Sequence, residues 1–112
     1  MVDPSAAVDA YLVNQFGIGL EQVLLAATVG ELPPGLSAVV TISCSLLDRR
    51  IHPDGGKTEG YTGTMTVQGV SYEFRCWVYR DVDGERFVSD LSEFVPKGWQ
   101  AHVRIGTRPG SG

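Results

Sequence analysis

The side chains able to do chemistry near neutral pH are few in this chain, and they fall into three groups. The first is DRRIHPDGG, where Asp48, Arg49, Arg50, His52 and Asp54 share a run with Pro53 and a Gly55-Gly56 pair. Asp48, His52 and Asp54 could hold a metal, and a histidine beside carboxylates could exchange protons near neutrality. Both uses need fixed geometry, which a segment rich in Pro and Gly does not supply. The run from Asp48 to Gly60 therefore reads as a polar loop, mobile in isolation, whose Arg49-Arg50 pair suits an acidic partner that orders it on binding. The second group is DVDGE, Asp81 to Glu85. It lacks the full ligand series and the distant bidentate glutamate of a calcium loop, and Asp-Gly is the standard tip of a hairpin.

The third group lies on SYEFRCWVYRD, Ser71 to Asp81. As a strand it places Tyr72, Phe74, Cys76 and Val78 on one face and Glu73, Arg75, Trp77 and Tyr79 on the other. The first face is a core face. The second begins polar and ends in two large aromatic rings. His102, in WQAHVRI, falls on the same outer face if Trp99, Ala101, Val103 and Ile105 point inward. Three uses of the aromatic end are open. Leu91, Phe94 and Val95 or the polar loop could fold over it, a partner could cover it, or it could floor a ligand site with Glu73, Arg75 and His102 as its polar groups.

The motifs that carry well-defined chemistry are not present. There is no GxxxxGK[ST] or GxGxxG after a strand, no HExxH and no GxSxG. No catalytic residue, metal ligand or cofactor is assigned from the sequence. Cys44 and Cys76 have no zinc-like spacing and read as buried thiols in a reducing compartment.

These residues must be positioned by a fold whose elements are legible. Asp3-Pro4 starts a helix in which Val8, Tyr11, Leu12 and Phe16 recur at helical spacing before Gly17. Leu20, Val23, Leu24 and Ala27 give a second, shorter helix ended by Gly30, although QVLLAATV would also serve as a buried strand. ELPPG is a connector. From Ser37 the period changes to two: Ala38, Val40, Ile42, Cys44 and Leu46 alternate with more polar residues, as in a half-buried strand. Pairing outward from a two-residue turn at Gln68-Gly69 sets Met65 against Tyr72, Gly63 against Phe74 and Tyr61 against Cys76, with threonines opposite Ser71, Glu73 and Arg75. Both strands agree on the apolar face, so the register is fixed. It sets Trp77 against Gly60 and Tyr79 against Thr58. The same treatment of Asp83-Gly84 pairs Arg80 with Phe87 and Tyr79 with Val88. That puts Phe87 on the core face and Val88 outside, a conflict that a longer loop or a bulge would repair.

The chain has 112 residues and a net charge of -4, with a pI near 5.0. The length suits one domain, residues 1–106, followed by a flexible tail, 107–112. The charge disfavours nucleic acid. No segment reads as a signal peptide or a membrane span, which points to the cytoplasm and to no membrane partner. The expected fold is α+β: N-terminal helices on one face of a twisted antiparallel sheet of about four or five strands. At the level of layers it resembles the cystatin-type and nuclear-transport-factor-type arrangements; the resemblance covers no motif and implies no function. The expected function is a small non-enzymatic interaction module. It binds a protein partner or itself, as a homodimer, through the outer face near Trp77 and Tyr79 or through the Arg49-Arg50 loop. The alternative is a small-molecule-binding protein or acid–base enzyme built on His102, Glu73, Arg75 and Tyr79.

Overall fold

A computed structural model of the chain describes residues 3–98. The expected strand bearing Trp99, Ala101, His102, Val103 and Ile105, and the tail 107–112, lie outside these residues. Three N-terminal helices, α1 (Pro4–Phe16), α2 (Leu20–Thr28) and α3 (Pro34–Ser37), precede four strands, β1 (Val40–Ile51), β2 (Lys57–Val67), β3 (Val70–Arg80) and β4 (Arg86–Pro96). The strands form one open antiparallel sheet in the order β1-β2-β3-β4. The architecture is α+β in two layers.

Helix α1 begins with Pro4 at its first turn and ends at Gly17, whose φ of 70° lets its amide return to the Val13 carbonyl. Asp3 does not cap the helix amides as expected; its carboxylate accepts the Ser5 hydroxyl instead. Helix α2 starts at Gly19, which has no capping side chain, and the acceptor comes from the neighbouring helix: Leu20 N donates to Asp9 Oδ1 at 2.8 Å. This bond ties the two helices together at the end where α2 would otherwise fray. The connector ELPPG tightens into α3, anchored by the buried Leu36, so β1 begins at Val40 and Ala38 caps the helix rather than joining the strand.

One sheet face carries the core. From the helix-covered end outward it holds Val40 and Val67, then Met65, then Phe74 and Phe94, then Cys76, then Val78 and Val88, all buried. Val8 and Leu12 of α1 and Leu20, Val23 and Leu24 of α2 close it from the other layer. The face is apolar because alternate residues of each strand point the same way.

The β2–β3 hairpin has the register read from the sequence, from Val67 opposite Val70 to Lys57 opposite Arg80. Gln68 and Gly69 have φ values of 53° and 77°, the two positive angles of a type I′ turn. The β3–β4 pairing differs from the sequence reading. Arg80 pairs with Arg86, Tyr79 with Phe87 and Val78 with Val88. The turn holds five residues, Asp81 to Glu85, and Phe87 lies outside while Val88 lies in the core. Ser89 and Ser92 then bulge out of β4, and their hydroxyls donate to the Trp77 and Arg75 carbonyls at 3.2 Å each.

The expected loop from Asp48 to Gly60 is mostly strand. Arg49 pairs with Glu59 and Arg50 with Thr58, and the turn is only His52 to Gly56. No apolar alternation marks these positions, because charged and polar groups meet across the strands. The turn repeats the one at 81–85: the first residue's amide bonds the fifth residue's carbonyl (His52 to Gly56 at 2.7 Å, Asp81 to Glu85 at 2.9 Å), and a glycine stands fourth in each. The two turns lie side by side at the sheet's distal end, where a Cβ on Gly55 would fall 2.9 Å from Val82 Cγ1.

Cys44 and Cys76 are free thiols on β1 and β3, which β2 separates. Two strand spacings put their backbones about 10 Å apart, beyond disulfide reach. Burial pushes the Cys44 thiol up and the Cys76 thiol up to about 12. Among the described residues no helix is long and apolar enough to cross a membrane.

Candidate functional site

The face opposite the helices is built from cross-strand rows, because paired residues of antiparallel strands share a face. The most distal outer row is Arg50, Thr58, Tyr79 and Phe87; the next is Asp48, Gly60, Trp77 and Asp90. Then come Ser45, Thr62, Arg75 and Glu93, and then Ser43, Thr64, Glu73 and Val95. The sequence-predicted residues therefore separate. Trp77 and Tyr79 belong to the distal rows with Arg50. Arg75 and Glu73 stand in hydroxyl-rich rows that line a depression of about 450 Å³. Glu73 and Tyr79 are six positions apart on β3, or about 20 Å at the rise of a strand. His102 lies outside the described residues.

Glycine makes the aromatic end flat. A Cβ on Gly60 would stand 2.7 Å from Trp77 Cζ3, so only glycine lets the indole lie against β2. A Cβ on Gly56 would stand 2.6 Å from the Tyr79 hydroxyl. The Arg50 guanidinium sits 5.9 Å from the Trp77 ring, within cation–π reach, and its Nε pairs with Asp48 at 3.3 Å. The His52 ring is 5.9 Å from Tyr79, and Tyr79 is 5.4 Å from Phe87. His52 Nε2 shares a 2.6 Å hydrogen bond with Thr58 Oγ1, which fixes the imidazole beside the row. Arg50, His52, Thr58 and Trp77 enclose a small cleft of about 190 Å³.

Leu91 and Phe94 do not cover these rings, since both point into the core face, and Val95 lies in a more proximal row. Arg50 and His52 flank Trp77 and Tyr79 instead, leaving both rings half-buried, while Phe87 is 54% exposed. Phe87 was missed because the β3–β4 register was read without the longer turn. The break in alternation at FVSD was the available signal.

The acidic groups of the two turns serve local bonds. Asp54 Oδ1 accepts the Gly56 amide, and Asp81 Oδ1 accepts the amides of Asp83 and Glu85. Among the described residues no three His, Cys, Asp or Glu side chains gather into a metal-holding group.

Arg49, the other half of the sequence-predicted pair, points to the opposite face. There its Nε bonds Glu59 Oε2 at 2.9 Å, Arg80 Nη2 approaches Glu59 Oε1 at 3.7 Å, and the Tyr61 hydroxyl donates to Oε1 at 3.2 Å. Glu59 is the one buried charged residue among those described, at 3% exposure. Burial, followed by the nearby Glu59 charge, pushes the Tyr61 phenol up.

No family model matches this chain, and neither a curated protein nor a solved structure matches it.

Proposed function

We propose that this chain is a non-enzymatic interaction module whose outer sheet face binds protein at its Trp77–Tyr79–Phe87 end, a second copy of the chain being the first partner to test. The observation that carries the reading is one flat patch on which three aromatic rings and Arg50 adjoin, with Phe87 54% exposed. Trp, Tyr and Arg are the residues that dominate binding energy at interfaces. A patch held on strands loses little conformational freedom when a partner covers it. A two-fold pairing of like faces is the commonest way to bury such a patch. Two free thiols suit a reducing, cytoplasmic setting. The ligand-binding or acid–base alternative draws on Glu73, Arg75 and Tyr79, which are strung along β3 rather than converging, and no observation favours it.

Light scattering on a sizing column, across a wide concentration range, tests the proposal. The native chain is expected to be a dimer that dissociates on dilution. Phe87→Asp is expected to be monomeric with an unchanged circular dichroism spectrum, and Trp77→Ala to weaken the dimer. A native chain that is monomeric at every concentration, or a dimer indifferent to Phe87→Asp, overturns the outer face as a self-interface.

A further inference from the structure

The last row of the inner face is Ile51, Lys57, Arg80 and Arg86, each directly opposite the next across β1, β2, β3 and β4. Three cations thus stand side by side, with Cβ atoms about 5 Å apart. Arg49 joins them from the adjacent row, so the end of one face gathers four of the chain's nine lysines and arginines, although the chain is acidic overall. Among the described residues, the carboxylate that ion-pairs with these cations is the buried Glu59, already shared between Arg49, Arg80 and the Tyr61 hydroxyl. The nearby Asp81 is turned into its own hairpin turn. Arg80 Nε and Arg86 Nη1 are buried without a hydrogen-bond partner among the described residues.

Like charges directly opposite each other in a sheet destabilise it, and buried N–H groups are paired in nearly all native structures. A fold that keeps both costs in one place departs from its own local rules, as functional sites do. We infer that this row binds a phosphate monoester dianion. Two guanidinium forks and an ammonium match the oxygens of a phosphate. Ile51, 70% exposed at the end of the same row, offers apolar contact to the organic part of the ligand. The site lies on the face opposite Trp77 and Tyr79, so it is independent of the protein-binding patch.

The test is a nuclear magnetic resonance titration of the full chain with inorganic phosphate and then pyrophosphate, at ionic strength held constant with chloride. The Arg80 and Arg86 Nε–H signals and the Lys57 amide are expected to move and saturate. Arg86→Gln is expected to weaken binding by about tenfold, as loss of one charge-assisted fork implies. Arg75→Gln, on the other face, is expected to leave it unchanged. Removing one of three like charges should not unfold the chain. Pyrophosphate should raise the melting temperature of the native chain and leave that of Arg86→Gln nearly unmoved. Sedimentation with phosphatidylcholine vesicles, with and without a phosphorylated phosphatidylinositol, separates the two sources of such a group. Binding to the phosphorylated vesicles assigns the phosphate to a lipid headgroup, and saturation by pyrophosphate without sedimentation assigns it to a soluble ester. Shifts that grow linearly without saturating, or an affinity unchanged by Arg86→Gln, overturn the inference.

Discussion

The two faces of the distal sheet end are made by the same four strands, often by adjacent residues, yet they are built on opposite plans. Outside, the strands supply small partners beneath large rings: Gly60 under Trp77 and Thr58 beside Tyr79. Charges there meet opposites, as Arg50 meets Asp48. Inside, long cationic side chains stand opposite one another around one buried carboxylate. A neutral, ring-bearing surface suits contact with another protein surface. An unbalanced cationic row suits a small anion. Alternation along a strand is what allows both within a few residues, because neighbours in sequence point to opposite faces wherever no bulge intervenes.

The sharpest contrast is between two glycines of β2. On the inner side, a Cβ on Gly63 would stand 2.1 Å from the Ser43 carbonyl oxygen, which is backbone and cannot move aside. On the outer side, a Cβ on Gly60 meets a ring that can swing. Gly63→Ala is expected to cost ~3 kcal/mol and Gly60→Ala only ~1 kcal/mol, measured by urea unfolding. Gly60→Ala should also change the Trp77 emission, best seen in a Trp99→Phe background. Equal losses would break the distinction between a fixed inner face and an adjustable outer one.

The buried thiol supplies the next test. Cys76, on the inner face, has its pKa raised from 9.0 to about 12 in the folded state. Folding therefore favours the protonated thiol. That stabilisation is complete below pH 9.0 and is lost as pH rises toward about 12. By about pH 11 the native chain should lose roughly 2–3 kcal/mol more than Cys76→Ala does. Urea midpoints of both proteins at rising pH measure it, and parallel pH profiles would remove burial of Cys76 as the cause.

The ion pairs of the two faces supply the last test, which includes the smallest expected effect. Glu59 is buried, whereas the Arg50 and Asp48 side chains are 71% and 45% exposed. Glu59→Gln is expected to destabilise by ~2 kcal/mol, below the value for a fully buried pair because both guanidiniums reach water. Arg50→Gln should cost under ~0.5 kcal/mol. Thermal unfolding of the two variants sharpens the comparison, and a larger loss for Arg50→Gln would reverse it.

The helices, the α+β class and the β2–β3 register were legible because apolar periodicity and turn residues agreed there. Met65, Gly63 and Tyr61 met their partners on one face, and Thr66, Thr64 and Thr62 met theirs on the other. The 48–60 region was misread because its strand pairs are charged, so period two is invisible to an apolar reading. The symmetry of DRR and TEG about Asp54 was the signal that Arg49 and Glu59 face each other. In β4, each bulged serine adds one residue and inverts the face of everything after it. Phe87 and Val88, which precede both bulges, were misplaced by the turn instead, because it holds five residues rather than two and so pairs Arg80 with Arg86. Trp77 and Tyr79 stood out as an aromatic end of a polar face from composition alone. The cationic row did not, because its members come from three strands and meet only once the register is known.

Among the described residues, all three bulges interrupt the outermost strands: Leu47 in β1, and Ser89 and Ser92 in β4. The central β2–β3 pair runs without interruption from Lys57–Arg80 to Val67–Val70. Each rim of the sheet thus presents backbone donors and acceptors whose spacing breaks partway along. A straight strand from another chain cannot bond to them in continuous register, and the added twist turns the rim away from such an approach. Among the described strands, zippering of copies into a growing ribbon is therefore hindered at both rims of the sheet.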